Sequence, residues 1–456
     1  MKKILIIFIL SSTVLTACKL GPDFQEPEYN AAKAYRFSGD EIRQLVNQQW
    51  WEVFDDPTLD SLISKALTNN QDVLMAAVRL EAARTNIGYT KADQLPSFKY
   101  GVGANGSGLS GNNQSGFHAY PELTWEIGFW GKYRRMNEAA QADYLATKYA
   151  AQTVEISLVS AIASTYYAIL AFKDQLYIAT NTLASRDSGL IIMRDKYEGG
   201  LISKMDMNQA QIQRDIAATV VPNYKRAIAT NENTLSILLG QQPYDIITGT
   251  PFHEQSYILD IPKGIPSELI ERRPDVQTQE AVLHSKTAKI GIAEALRWPS
   301  FNLTGMLGTA SSDLTDFNTM GLTWSAGGNL LGPIFQFGKN KDRVTLAEKD
   351  AELAYLQYEQ SALNAFREVE DALIKISSYK EELVAQESRT NAAVESEELA
   401  FIRYNEGSTT YLEVLEQQRQ AFSAQLDILT NRLNLINSYI LLYKALGGGW
   451  NTNENQ

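Results

Sequence analysis

The sequence predicts an α+β membrane protein, built from one helix–strand–strand–long helix–long helix unit written twice. Three observations predict it: an internal repeat at offsets of 203 and then 207 residues, four short alternating segments, and two proline-free stretches of about 65 residues.

The repeat comes first. Leu95-Pro96-Ser97-Phe98 returns as Trp298-Pro299-Ser300-Phe301, and Asp72-Val73 as Asp275-Val276. Later the offset widens by four: Gly131-Lys132 pairs with Gly338-Lys339, Tyr197 with Tyr404, and Leu239-Gly240 with Leu446-Gly447. The change falls between the strands, where loop length is free to differ. The halves are read as 57–240, with helices near 72–94, 131–198 and 203–239, and 266–447, with helices near 275–297, 339–406 and 410–446. Residues 241–265 link them, and 448–456 form a tail.

Each long stretch is rich in Ala, Leu, Gln and Glu, all good helix formers. At 1.5 Å per residue, such a helix runs roughly 100 Å, a length that suggests a coiled-coil tunnel or a fibre. Glycine just past each helix end, at Gly199-Gly200 and Gly407, predicts a tight hairpin. Ser203-x-x-Asp206 and Thr410-x-x-Glu413 read as capping boxes opening the return helices. Pro222, opposite Leu429 in the other half, predicts a kink in one copy only. Residues 156–172 carry no charge but are short for a membrane span, so they read as a buried helix face.

The alternating segments are Phe98-x-Tyr100-x-Val102-x-Ala104, Phe117-x-Ala119 leading to Leu123-x-Trp125-x-Ile127, Phe301-x-Leu303-x-Gly305-x-Leu307, and Met320-x-Leu322-x-Trp324-x-Ala326. They predict strands near 95–108, 115–127, 298–310 and 319–331. Period-two segments of about ten residues joined by Gly/Asn/Ser loops match transmembrane β-strands. Four strands cannot close in lipid, where unpaired edges cost several kcal/mol per group. Two chains would supply a filled 8-stranded barrel and three a 12-stranded one with an aqueous lumen, so conduction favours a homotrimer.

The N-terminus sets the compartment. Lys2-Lys3, an apolar run and Leu15-Thr16-Ala17-Cys18 read as a signal peptide over 1–17, with a lipobox that leaves Cys18 first and acylated. Residues 18–56 are then a lipidated N-terminal and equatorial segment. Lys19 after the cysteine points to the outer membrane.

Composition excludes several classes. A net charge of −12 argues against nucleic-acid binding. One cysteine and three scattered histidines give no disulfide and no local metal motif. Gly101-x-Gly103-x-x-Gly106 fits the dinucleotide string, but a Gly/Asn/Ser loop rather than a helix is expected after it. Gly447–Gly449 lacks the Lys-Ser/Thr of a phosphate loop. No nucleophile–base set is visible, so no enzyme and no cofactor are expected beyond the lipid on Cys18.

The chain resembles the TolC-type outer-membrane efflux channels, in their OprM-like lipoprotein branch. The motifs are Gly21-Pro22-Asp23-Phe24, Trp50-Trp51-x-x-Phe54-x-Asp56-Pro57, Pro121-Glu122-Leu123-Thr124-Trp125-Glu126-Ile127, Glu271-Arg272-Arg273-Pro274-Asp275-Val276, Gly332-Pro333-Ile334-Phe335 and Ala445-Leu446-Gly447-Gly448-Gly449-Trp450. The resemblance implies a trimeric 12-stranded β-barrel continuous with an α-helical periplasmic tunnel. It also implies a passive exit duct for small toxic compounds, served by a periplasmic adaptor (membrane fusion) protein and an inner-membrane RND-type transporter. The outlet of a type I protein-secretion system shares the fold. A structural coiled-coil surface lipoprotein would explain the helices but not four paired strands.

The resemblance also implies a periplasmic gate near the second hairpin. Glu413 and Glu416 fall on its acidic positions, Leu412 on a position that forms an apolar constriction, and Tyr404 on a tyrosine that holds the closed state. Each has a plainer reading: a helix cap for Glu413, helix packing for Leu412, hairpin packing for Tyr404. Asp206 is the first-half counterpart of Glu413 and also reads as a cap. Gly199, Gly200, Gly407 and Ser408 are implied adaptor contacts, with turn geometry as the alternative. Arg272 and Arg273 read as structural.

Overall fold

A computed structural model describes residues 19–27, 54–109, 112–255, 270–312 and 322–448. The expected signal peptide, Cys18, Trp50, Trp51, Met320 and most of the tail lie outside the described residues. The elements run α1 (Pro57–Asn69), α2 (Gln71–Ala92), β1 (Ser97–Leu109), β2 (Asn112–Ile127), α3 (Lys132–Glu198), α4 (Lys204–Leu238), α5 (Pro274–Ala295), β3 (Ser300–Ser311), β4 (Thr323–Leu331), α6 (Lys339–Asn405) and α7 (Tyr411–Ala445). From α2 and from α5 onward the two copies carry the same order, and α3 and α6 are each 67 residues long.

The chain divides into two compact units, and each draws on both copies. One holds Ala77–Ala150 and Asp275–Ser361 with the N-terminal residues; the other holds Ala151–Pro274, Ala362–Gln456 and the residues around α1. The sequence repeat is therefore not the packing unit.

In the first unit the strands form one antiparallel sheet in the order β1-β2-β3-β4. The Gly/Asn/Ser stretch expected as a loop is largely strand instead. β1 and β2 pair out to Ser107↔Gln114 and Leu109↔Asn112. The ladder uses backbone groups alone, so a side-chain pattern that fades does not end it. Gly101, Gly103 and Gly106 lie on β1, and no helix follows them there. Arg135, 0 % exposed in the first turn of α3, clamps the N-terminal segment. Its Nε donates to the Leu20 carbonyl at 2.9 Å and its Nη2 to that of Gly21 at 2.7 Å. Phe24 stacks on His284 of α5.

In the second unit the charge-free stretch of α3 is core. Ile162, Ala163, Tyr166, Ile169 and Ala171 are fully buried. Asp56 caps α1, accepting from the Thr58 and Leu59 amides, while its second oxygen accepts from the Tyr166 hydroxyl at 2.8 Å. This buried node, with Phe54 packed on Tyr167, gives the Phe54-x-Asp56-Pro57 motif its reason. α4 continues without interruption through Pro222.

The two copies close their last helices in the same way. The Asn70 amide donates to Leu238 O at 2.9 Å; Arg273 Nη1 donates to Ala445 O at 3.0 Å. These are equivalent positions with different side chains. Arg273 is buried and also bridges to Glu368 at 2.8 Å, a structural role.

Candidate functional site

Two features can carry function, and each lies within one unit. The first is the sheet. Residues paired in register share a face. One face collects Phe98, Tyr100 and Val102 of β1; Leu123, Trp125 and Ile127 of β2; Phe301, Leu303 and Leu307 of β3; and Trp324, Ala326 and Leu330 of β4. The opposite face is mainly polar, with Lys99, Glu122, Thr124, Glu126, Asn302, Thr304, Ser325 and Asn329 beside Met306 and Leu331. Lys99 stands directly opposite Glu122, so the two charges offset each other on the polar face.

On the edge strands the apolar face is bare: Phe98, Tyr100, Val102, Trp324 and Leu330 are exposed, Tyr100 by 87 %. Four strands of 9 to 16 residues, apolar on one side and polar on the other, suit a barrel wall with lipid outside and water within. β1 and β4 are both edges, each with one unpaired row of N–H and C=O groups in this chain.

The second feature is the pair of hairpin turns in the second unit. α3 ends as Leu201 N donates to Lys196 O at 2.8 Å; α6 ends as Ser408 N donates to Arg403 O at 2.9 Å. These six-residue closures need a left-handed residue, supplied by Gly200 and Gly407, both at φ +73°. Gly199 and Ser408 complete the turns, and the Ser408 hydroxyl also donates to Arg403 O at 2.9 Å.

Beyond the turns the copies part. Ser203 and Asp206 form the expected capping box. Thr410 and Glu413 do not: the Thr410 side chain makes no cap bond. Glu413 instead takes Arg403 Nη1 at 2.9 Å, across the hairpin, and the Thr409 hydroxyl. A guanidinium within reach outcompetes a neutral amide for the carboxylate. Asp206 is thus a helix cap that accepts from its own turn.

Glu416 is exposed and forked onto Arg419 at 2.6 and 3.0 Å, with the Gln420 amide at 2.8 Å. Arg419 and Gln420 hold its carboxyl below the ordinary glutamate value. Leu412 is exposed, as is its first-copy equivalent Met205. The Tyr404 hydroxyl accepts from Lys196 Nζ at 3.0 Å, joining the end of α6 to the end of α3, and its ring lies 5.2 Å from that of Tyr411. The structure therefore brings Tyr404, Leu412, Glu413 and Glu416 to one end of the α6–α7 hairpin. It adds three cations, Lys196, Arg403 and Arg419, that sequence reasoning did not pair with them. Glu416-x-x-Arg419 is legible as an i,i+3 pair; the other two pairings cross turns or hairpins.

Among the described residues, no cluster of three His, Cys, Asp or Glu could hold a metal ion. The profile of the outer membrane efflux protein family matches residues 62–241 and 265–448, one stretch in each copy. The solvent efflux pump outer membrane protein SrpC of Pseudomonas putida is 32% identical over 460 residues, 97% of either chain. The antibiotic efflux pump outer membrane protein ArpC of Pseudomonas putida is 31% identical over 471 residues, 99% of this chain and 96% of that one. Among solved structures, the outer-membrane channel OprN superposes with a TM-score of 0.89 at 26% identity, over 95% of this chain and 100% of its own. An amphipathic sheet with bare edges, a doubled helical hairpin and these likenesses have one meaning: the chain belongs to the outer membrane efflux protein family and is the outer-membrane channel of an efflux system rather than an enzyme.

Proposed function

We propose that three copies close their sheets edge to edge into a 12-stranded barrel above a helical tunnel, forming a passive exit duct. The observation that carries this is the four-stranded sheet with one apolar face and two open edges. An open sheet is untenable in lipid. β4 of one copy meeting β1 of the next is a head-to-tail contact, and such contacts close into rings. Twelve strands leave a lumen where eight do not.

The cargo is a small toxic organic compound, in keeping with the solvent and antibiotic efflux systems that the relatives serve. A periplasmic adaptor docks on the turns at Gly199, Gly200, Gly407 and Ser408, and an inner-membrane RND-type transporter supplies the energy. An acyl group on Cys18 anchors the chain in the outer membrane. Glu413, Glu416, Leu412 and Tyr404 form the periplasmic constriction. Because Arg403 and Arg419 accompany the two glutamates, that ring is a charge-paired lock rather than bare negative charge.

Planar-bilayer recording of the purified protein tests both parts. Discrete channels are expected, and Glu413→Ala with Glu416→Ala raises their conductance. A monomeric mass with no discrete channels refutes the duct; unchanged conductance in the double variant removes the glutamates from the gate.

A further inference from the structure

Near the turn ends of α3, α4, α6 and α7, the second unit holds a cavity of about 330 Å³ whose interior the duct does not use. The size is that of a small-molecule site. Met193, Phe401, Tyr411 and Leu415 give it apolar and aromatic walls. The charged side chains lining it are Arg186 and Lys196, both cations, with no carboxylate among the lining residues.

Arg186 is the unusual member. It is 5 % exposed and lies twelve residues before the end of α3. Its Nη1 donates to Gln213 O of α4 at 2.6 Å, and its Nη2 to Gln418 O of α7 at 3.4 Å. Its Cζ lies 5.0 Å from the Phe422 ring centre. These partners are neutral and supply no countercharge. Nε has no hydrogen-bond partner, and neither does the buried Gln213 Oε1 nearby. The Glu397 carboxylate offsets part of this charge through space without a hydrogen bond to it, so the unmet need is that of the unpaired buried donor, which is costly. The position equivalent to Arg186 in the second copy is Ala393, so the duplicated architecture does not require an arginine here.

We propose that this cavity binds a small aromatic carboxylate, whose anion meets the Arg186 guanidinium and whose ring packs among Phe401, Tyr411 and Leu415. An occupant touching Arg186 braces α3, α4 and α7 at once, because that side chain already joins all three. It would thereby stiffen the ends of both hairpins. Of the constriction residues, Tyr404 lines the cavity, whereas Leu412, Glu413 and Glu416 do not.

The test is calorimetric titration of the full-length protein with 2-naphthoate, at ionic strength matched with sodium chloride. Saturable binding of one molecule per chain, with Kd below about 1 mM, is expected, and neutral 2-naphthamide should bind at least tenfold more weakly. Arg186→Met should weaken naphthoate at least tenfold. Gly189→Leu keeps Arg186 and fills the space instead: a Cβ at Gly189 stands 3.5 Å from the Tyr411 hydroxyl, an ordinary contact, and the longer side chain enters the cavity. That variant should not bind naphthoate, and it decides the matter if Arg186→Met does not fold. Absence of saturable binding to the natural protein, or unchanged binding by Gly189→Leu, overturns the proposal. Binding is read without any conductance measurement, so it stands or falls apart from the duct.

Discussion

Replacing Arg135 with methionine should release the N-terminal segment while leaving the helical stem in place. The guanidinium is fully buried and donates to the Leu20 and Gly21 carbonyls at 2.9 and 2.7 Å. It also pairs with Glu138 at 3.1 Å and with Asp23 at 3.2 Å. Removing one member of a buried, hydrogen-bonded ion network costs about 3–5 kcal/mol. Glu138 keeps Lys19 at 2.9 Å, which argues for the lower end. About 3 kcal/mol corresponds to a rise of roughly 100-fold in local opening. Hydrogen exchange at the Leu20, Gly21, Asp23 and Phe24 amides reads this directly. Exchange within about threefold of the natural protein would refute the clamp. A pH series adds a sign. Burial pushes the Glu138 carboxyl up, but Lys19 and Arg135 overcome it and hold the group below its ordinary value. Lys19 first, and then Arg135, lower Asp23 in the same direction. Groups lowered by folding contribute fully above the ordinary carboxylate range, near about pH 4, and lose that contribution as the pH falls through their folded values. Protection of the segment should therefore be flat near neutrality and collapse in acid.

Two further outcomes follow from other parts of the molecule. Gly308→Val should break the β2–β3 seam, since a Cβ there would stand 2.3 Å from Ala119 O; a cost of about 1–3 kcal/mol or more is expected, read as loss of heat-stable assembly on a gel. Gly305→Val is the matched control, because its nearest neighbour is 3.9 Å away, and it should assemble normally. Tyr404→Phe removes the acceptor of Lys196 at a partly buried site, worth about 1 kcal/mol, and should raise single-channel open probability about fivefold; an unchanged open probability would make the contact ordinary packing.

The architecture was legible because two periodicities are local. The alternation in Phe98-x-Tyr100-x-Val102 and the uninterrupted helix formers after Lys132 and Lys339 need no knowledge of distant residues. Where side chains stop alternating, as in Ser107 and Asn112, the strand continues on backbone pairing that sequence pattern does not record. Position in the chain was also legible for Glu413 and Glu416, but their partners were not. Arg403 reaches Glu413 across a turn, and the spacing that suggested a capping box could not say that a cation would win the carboxylate. The Gly21-Pro22-Asp23-Phe24 motif had no visible purpose in sequence because its clamp, Arg135, lies more than a hundred residues away. Arg186 and its cavity were invisible for the same reason: four helices have to converge before the space exists.

Comparing the two hairpins separates what the copies share from what each has of its own. The backbone turns are the same, with Lys196 and Arg403 carbonyls accepting the equivalent closing bonds at 2.8 and 2.9 Å. The side chains at those same positions are wired differently. Lys196 reaches over to Tyr404, in the other hairpin, whereas Arg403 stays within its own and takes Glu413. Asp206 turns back to cap its helix; its equivalent Glu413, one methylene longer, is drawn away from the cap. A turn needing only to reverse the chain would keep the cap in both copies, since a cap is worth about 1 kcal/mol. The second copy forgoes that cap and gathers Arg403, Glu413, Glu416 and Arg419 into exposed charge pairs, which by themselves add little stability. Exposed pairs of this kind are easily exchanged for new partners. For the proposed constriction, charge pairs that exchange readily suit α6–α7 to be the arm that moves, and the recordings on the Glu413→Ala, Glu416→Ala variant test that reading.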